Sequence, residues 1–309
     1  GGGGLRTLDT ARRYRDAGVE RLIFGTAAVT APEVVEEAAA LWPEAVAVAV
    51  ADSRYLAEDA LDAIQVDYEP LPAVADIDHG LKDQVLVHED NGTNLAGQTV
   101  ISVGDTDAAF AAAEYTRKEQ FKTHRPTGNP LEPRGLIASF DAESGDITVW
   151  GPTKTPHFNR ELLASSINIA EEKIHFIEPD VGGGFGIRGE FYPEDFLIPF
   201  AAMQTGRPVK WIEDRMEHLV GSNHSREVLC EAEIAVNHDG TILGLRAVVY
   251  GDMGGYVRTH GSVVTALTAG MLTGPYRIPA YHASINCAMT NKMGTGTYRA
   301  PGMYEGCFI

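Results

Sequence analysis

The stretch "KIHFIEPDVGGGFGIRGEFYPEDFLIPFAAMQTG" (173–206) decides how the chain is read. Its apolar start reads as a strand. Pro193, followed by Glu194 and Asp195, has the composition of a helix first turn, and Gly206 supplies a stop. Between strand and helix, positions 182–186 are glycine except for Phe185. The run lacks the lysine followed by Ser or Thr of a P-loop, and Ile187 occupies the last glycine position of a G-x-G-x-x-G pattern. Glycines there permit positive φ and let the backbone approach a ligand closely, so that exposed N–H groups bind oxo or phosphate oxygens. The competing reading is a strand-to-helix turn with Phe185 packed in the core, and the run taken alone favours that turn.

Outward from this stretch the pattern is mixed. "LIASFDAESGDITVW" (136–150) predicts a hairpin turning over Asp141–Asp146. A second hairpin alternates at Val228, Cys230, Ala232, Ile234 and Val236, turns at "NHDG" (237–240) and returns along "TILGLRAVVYG". Helices are predicted at "HFNRELLASSI" (157–167), at 193–206, from "DAAFAAAEY" (107–115), and after Ser53, which caps a helix carrying Leu56, Ala60 and Ile64 on one face. "HEDNGTNLAGQTVISVGDTD" (88–107) is polar and reads as a linker. Residues 1–50 alternate helix and strand in βαβαβ order, with Thr7 and Thr30 as N-caps and an apolar "EAVAVAVA" (44–51). The fold class is α+β.

With 309 residues the chain can form two domains. A formal net charge of −18 opposes binding to nucleic acid or an anionic membrane. No apolar run reaches the roughly 20 residues of a membrane span. Cys230, Cys287 and Cys307 are scattered and too few to hold an iron–sulfur cluster. They fit a reducing cytoplasm better than a disulfide framework. The ten histidines form no H-E-x-x-H, and no G-x-S-x-G elbow marks a nucleophile. The GGGG opening, and an end at Cys307-Phe308-Ile309, suggest a fragment.

"PLEPRG" (130–135), "WGPTKTPH" (150–157), the glycine run, "DMGGYVRTHG" (252–261) and "TGTYRAPG" (295–302) occur in the order and spacing of the large subunits of the aldehyde oxidase/xanthine dehydrogenase family, the molybdenum hydroxylases. The chain resembles that family from about residue 51 to 309. The resemblance implies the end of an α/β hammerhead domain (51–88), a linker (89–104) and the first part of a molybdopterin-binding domain (105–309). Residues 1–50 resemble instead a fragment of a histidine-biosynthesis phosphoribosyl isomerase barrel, and the junction at 46–51 joins two unlike pieces. The implied chemistry is hydroxylation of an aldehyde or N-heterocycle with oxygen derived from water. The implied cofactor is a molybdenum–pterin, with the cytosine dinucleotide form as one candidate. Iron–sulfur clusters and FAD would reside on partner subunits, in a dimer of heterotrimers.

The resemblance places Gly183, Gly184, Phe185 and Gly186 beside the cofactor, with Tyr298, Arg299 and Ala300 on the opposite wall. Lys154 stands where many relatives carry a glutamine. Purine-oxidising relatives carry a glutamate and an arginine where this chain has Gly189 and Leu267, with Glu190 one place out of register. Copper–molybdenum carbon monoxide dehydrogenases carry a cysteine where it has Ala300. No carboxylate takes the role of catalytic base: the family's glutamate is expected beyond Ile309, and Glu194 and Asp195 are first-turn capping candidates. Two other readings stand beside this one, a phosphoribosyl isomerase fragment and a non-catalytic assembly module.

Overall fold

The computed structural model describes residues 48–65 and 70–309. The predicted βαβαβ segment (1–50) therefore lies, apart from its last three residues, outside the described residues. In chain order the helices are α1 (Arg54–Asp62), α2 (Ile77–Gly80), α3 (Thr106–Ala112), α4 (Pro156–Ile167), α5 (Pro193–Thr205), α6 (Arg215–Gly221), α7 (Gly261–Met271) and α8 (Met303–Phe308). The strands are β1 (Leu95–Val103), β2 (Tyr115–Lys122), β3 (Gly135–Phe140), β4 (Ile147–Trp150), β5 (Ile174–Ile177), β6 (Val209–Ile212), β7 (Val228–Val236), β8 (Ile242–Gly254) and β9 (Ala280–Met289). They form two compact units.

One unit takes the described residues up to Pro70 together with Arg134–Val181 and Phe191–Glu213. Its sheet has the order β5-β4-β3-β6. The predicted hairpin pairs Ile137 with Trp150 and Phe140 with Ile147. Alternate residues Leu136, Ala138, Ile147 and Val149 are buried with Leu163 of α4 and Ile198, Ala201 and Ala202 of α5. α5 starts at Pro193 as predicted, α4 starts at Pro156, one residue ahead of the predicted stretch, and Asp195 accepts the Tyr192 N–H at 2.7 Å. Beneath them the Arg134 guanidinium lies 4.0 Å from the Tyr192 ring centroid and donates to Glu213 (2.7 Å) and Glu194 (3.0 Å). Glu213 is almost wholly buried and also accepts the Arg134 backbone N–H at 2.7 Å.

The other unit contains Leu71–Pro133, Gly182–Glu190 and Asp214–Ile309. Its sheet has the order β1-β9-β8-β7-β2, antiparallel except for the parallel β8–β9 pair. The second predicted hairpin closes with the Asn237 N–H on the Thr241 carbonyl at 3.0 Å. The core gathers Val228, Cys230, Leu245, Ala247, Val249, Ala269, Tyr281 and Ile285.

The linker expected at 89–104 is corrected: most of it is strand β1, paired with β9 from Leu95 to Val103. Its polarity reflects an edge position, where most residues are exposed on both faces and the ladder is held by backbone groups. The charged edge strand β2 escaped the sequence pattern for the same reason.

A buried arginine left without its carboxylate is strongly destabilising. Glu213→Ala is expected to lower stability by about 3–5 kcal/mol, read as a shifted urea midpoint from the fluorescence of Trp211, which adjoins Arg134.

Candidate functional site

The glycine run lies in the second unit, against the loop that follows β9. A Cβ built on Gly186 would stand 2.3 Å from the Thr297 carbonyl oxygen, and Gly186 has φ +108°. Two main chains therefore meet with no side chain between them. The Arg299 N–H donates to the Phe185 carbonyl at 2.7 Å, and the Thr297 hydroxyl donates to the Gly186 carbonyl at 3.3 Å. On the loop's other side a Cβ on Gly296 would lie 2.5 Å from the Asn223 amide nitrogen and 2.7 Å from a Glu190 oxygen. Asn223 donates to the Thr297 carbonyl at 3.1 Å.

The run is clamped at its base. The Glu132 carboxylate accepts the Gly182 N–H at 2.7 Å and the Arg188 guanidinium at 3.1 Å, and Arg188 also donates to the Glu132 and Pro133 carbonyls. Gly183 and Phe185 take positive φ while Gly184 between them does not. That alternation gathers successive N–H groups on one side of a chain. Among the described residues no acceptor takes the N–H groups of Gly183, Gly184, Phe185 or Gly186. Phe185 is 44% exposed, so its ring does not pack in the core.

The partner loop is fixed at its root by a buried knot of charge. Arg125 pairs with Glu227 (2.6 Å) and Asp252 (3.1 Å), and Lys292 pairs with the same two carboxylates (2.7 and 3.2 Å). Arg125 also donates to the Met293 carbonyl, and the Thr295 hydroxyl to the Asp252 carbonyl, both at 2.5 Å. At the crest Tyr298 is half-buried, Arg299 and Ala300 are exposed, and Ala300 takes φ +59°.

Of the eight residues singled out from the sequence, Gly186 approaches Tyr298 and Phe185 accepts from Arg299, while Gly183 lies against Pro130 and Gly184 against Arg188. Lys154 belongs to the other unit, exposed just ahead of α4. Sequence reasoning missed Arg188, Asn223 and Arg226, and saw Glu132 only as part of a motif. Their partners lie 56 to 74 positions away in the chain. Glu190 is buried and turned inward, 3.3 Å from His260 Nδ1. Glu194 pairs with Arg134 and Asp195 caps α5, as first-turn carboxylates do. His218 is buried against the Gly128 carbonyl, and the described residues contain no metal-binding cluster of His, Cys, Asp and Glu. The three cysteines are free, and no described helix is long and apolar enough to cross a membrane.

Gly186→Ala is expected to lower stability by at least about 2 kcal/mol in urea unfolding, from left-handed strain and overpacking together. Burial pushes the Glu190 carboxyl above its usual range, opposed by His260 and Arg258. The folded chain then keeps the proton to higher pH than the unfolded chain, so the Glu190 contribution is greatest in acid and declines as pH rises through the raised value. Glu190→Gln removes this decline, and urea melts from about pH 4 to pH 7 should show the variant gaining on the parent as pH rises.

Comparison with known proteins places this geometry. The family described as molybdopterin cofactor-binding domain matches residues 87–309. The family described as histidine biosynthesis protein matches residues 1–70, of which only 48–65 and 70 are described. The gamma subunit of the 6-hydroxypseudooxynicotine dehydrogenase complex of Paenarthrobacter nicotinovorans is 36% identical over 82% of this chain and 32% of its own length. The carbon monoxide dehydrogenase large chain of Afipia carboxidovorans is 36% identical over 77% of this chain and 31% of its own. Quinoline 2-oxidoreductase from Pseudomonas putida 86 superposes with a TM-score of 0.78 at 33% identity, over 82% of this chain and 32% of that one. The chain thus spans about a third of the length of these relatives.

Proposed function

The chain belongs to the molybdopterin cofactor-binding domain family, within the molybdenum hydroxylases, and from that premise we propose that the glycine run and the Tyr298–Ala300 loop form part of the wall of a cofactor site in a hydroxylase large subunit. The observation that carries the reading is the set of four N–H groups at Gly183–Gly186, free of protein acceptors on a loop locked in place. Such a nest suits the oxygens of a molybdenum–pterin group, so the residues present fit the cofactor. When bound, that group supplies the hydroxylation chemistry, with water as the source of oxygen.

The chain's own residues bind and orient. The Gly183–Gly186 N–H groups hold cofactor oxygens. The exposed Arg299 guanidinium offers a planar donor fork to a cofactor oxyanion or a substrate carbonyl. The exposed Phe185 ring excludes water and forms an apolar surface for a flat substrate. An N-heterocycle or aldehyde is the proposed substrate class. The quinoline enzyme and the hydroxypseudooxynicotine dehydrogenase among the relatives favour the former. Ala300, where the resemblance sets a cysteine for carbon monoxide oxidation, argues against carbon monoxide. Glu190 faces His260 and is not offered as a base. Electrons leave to iron–sulfur and FAD partner chains in a cytoplasmic complex, a dimer of heterotrimers. The match over residues 1–70 supports a separate, barrel-like origin for the N-terminal piece.

In the full-length protein purified with its partner chains, Phe185→Ala is expected to lower kcat/KM by about ten- to a hundredfold at unchanged molybdenum and pterin content. Unchanged turnover at full loading removes Phe185 from the site, and a full-length protein without pterin overturns the reading.

A further inference from the structure

Directly beneath the Tyr298–Ala300 turn the molecule leaves buried polar groups unsatisfied. Ser225 Oγ, Arg226 Nε and Nη1, and both carboxylate oxygens of Glu305 are buried without a hydrogen-bond partner. Ser225 is 1%, Arg226 9% and Glu305 0% exposed. Arg226 Nη1 and Glu305 Oε2 are 4.0 Å apart, close enough to attract and too far to hydrogen bond. Each unmade bond is expensive, so a fold that sets four such atoms on one facing pair, Arg226 and Glu305, needs a reason for the arginine.

Arg226 is held from below and reaches upward. It precedes β7 with φ +68°, left-handed for a residue that has a Cβ. Its carbonyl accepts the Thr123 hydroxyl, which ties it to the end of the sheet. Its guanidinium lies 4.7 Å from the ring centroids of both Tyr298 and Tyr304. Its remaining nitrogen, Nη2, donates to the carbonyl of Arg299. The same residue gives its N–H to the Phe185 carbonyl. Arg299 is therefore gripped on its amide side by the glycine run and on its carbonyl side by Arg226.

We infer that Arg226 is a positioning residue that fixes the direction of the Arg299 side chain and the Ala300 wall by holding the Arg299 carbonyl, with Glu305 as its counter-charge across internal water. The unsatisfied donors on Arg226 and the acceptors on Glu305 supply the several polar partners a buried water needs. Burial raises the Glu305 carboxyl above its ordinary range, opposed by the Glu305 and Gly302 N–H groups and by the Arg226 charge. The grip on the loop stands on geometry alone; its meaning for the cofactor rests on the function proposed above.

The test compares Arg226→Gln, Arg226→Lys and Glu305→Gln in the full-length protein purified with its partner chains, by amide hydrogen exchange and by pterin content per chain. Arg226→Gln should speed exchange in 295–302 by on the order of tenfold or more, the loss of one charge-assisted bond, while β7 and β9 keep their protection. Lys should not rescue, because an ammonium lacks the fork that reaches the carbonyl while lying over two rings. Glu305→Gln should leave the loop protected. The substrate KM should rise more than kcat falls in Arg226→Gln. Unchanged loop exchange, an equal rise throughout the sheet, or full rescue by lysine each overturns the inference. If Arg226→Gln fails to fold, Tyr304→Leu replaces it with a smaller loosening confined to the loop, and no loosening overturns the inference. Loosening in a protein whose parent holds no pterin upholds the grip and overturns the cofactor reading instead.

Discussion

The approach of Gly186 to the Thr297 peptide is the constraint on which the rest of the second unit depends. The segments meet main chain to main chain, 111 residues apart in sequence. Contact this close excludes a side chain at 186 and requires a backbone conformation that residues with a Cβ rarely adopt. Once it is made, the Phe185 carbonyl is turned to the Arg299 N–H and the Phe185 ring outward. The N–H groups of Gly183–Gly186 are left without acceptors among the described residues. One packing requirement thus produces both the structural and the ligand-facing properties of the loop.

Buried charge is concentrated where irregular chain must be held still. The Arg125, Glu227, Asp252 and Lys292 knot secures the root of the 293–302 loop, and Arg226 secures its crest. Arg188 does the same for the glycine run through Glu132 and three carbonyls. Loops without a ladder of their own need such anchors, and arginine suits them because its fork reaches several backbone oxygens at once. Within the first unit the Arg134–Glu213–Glu194 set instead joins a strand end to a helix start.

The family model and the relatives agree with the family read from the sequence, whose signal lay in loops that carry glycine and proline at fixed offsets. Strands buried on one face were legible too: Ile147 and Val149, or Val228 and Cys230, alternate with polar neighbours. Edge strands were not. β1 and β2 are exposed along most of their length, with no clean alternation of buried and polar positions, and nothing in a string of side chains records that their backbones are paired.

By itself the sequence determined the class of fold, the hairpins, the helix that starts at Pro193 and the family. Those properties are local in period or position, and each residue type carries its share of the signal. Only the tertiary structure decided that Phe185 faces outward, that Glu190 turns to His260, that Asn223 and Arg226 serve the loop, and that Gly296 is as confined as Gly186. These facts depend on which distant backbone lies within a few ångströms, and that is set by the packing of the sheet and its loops, not by the composition of any single stretch.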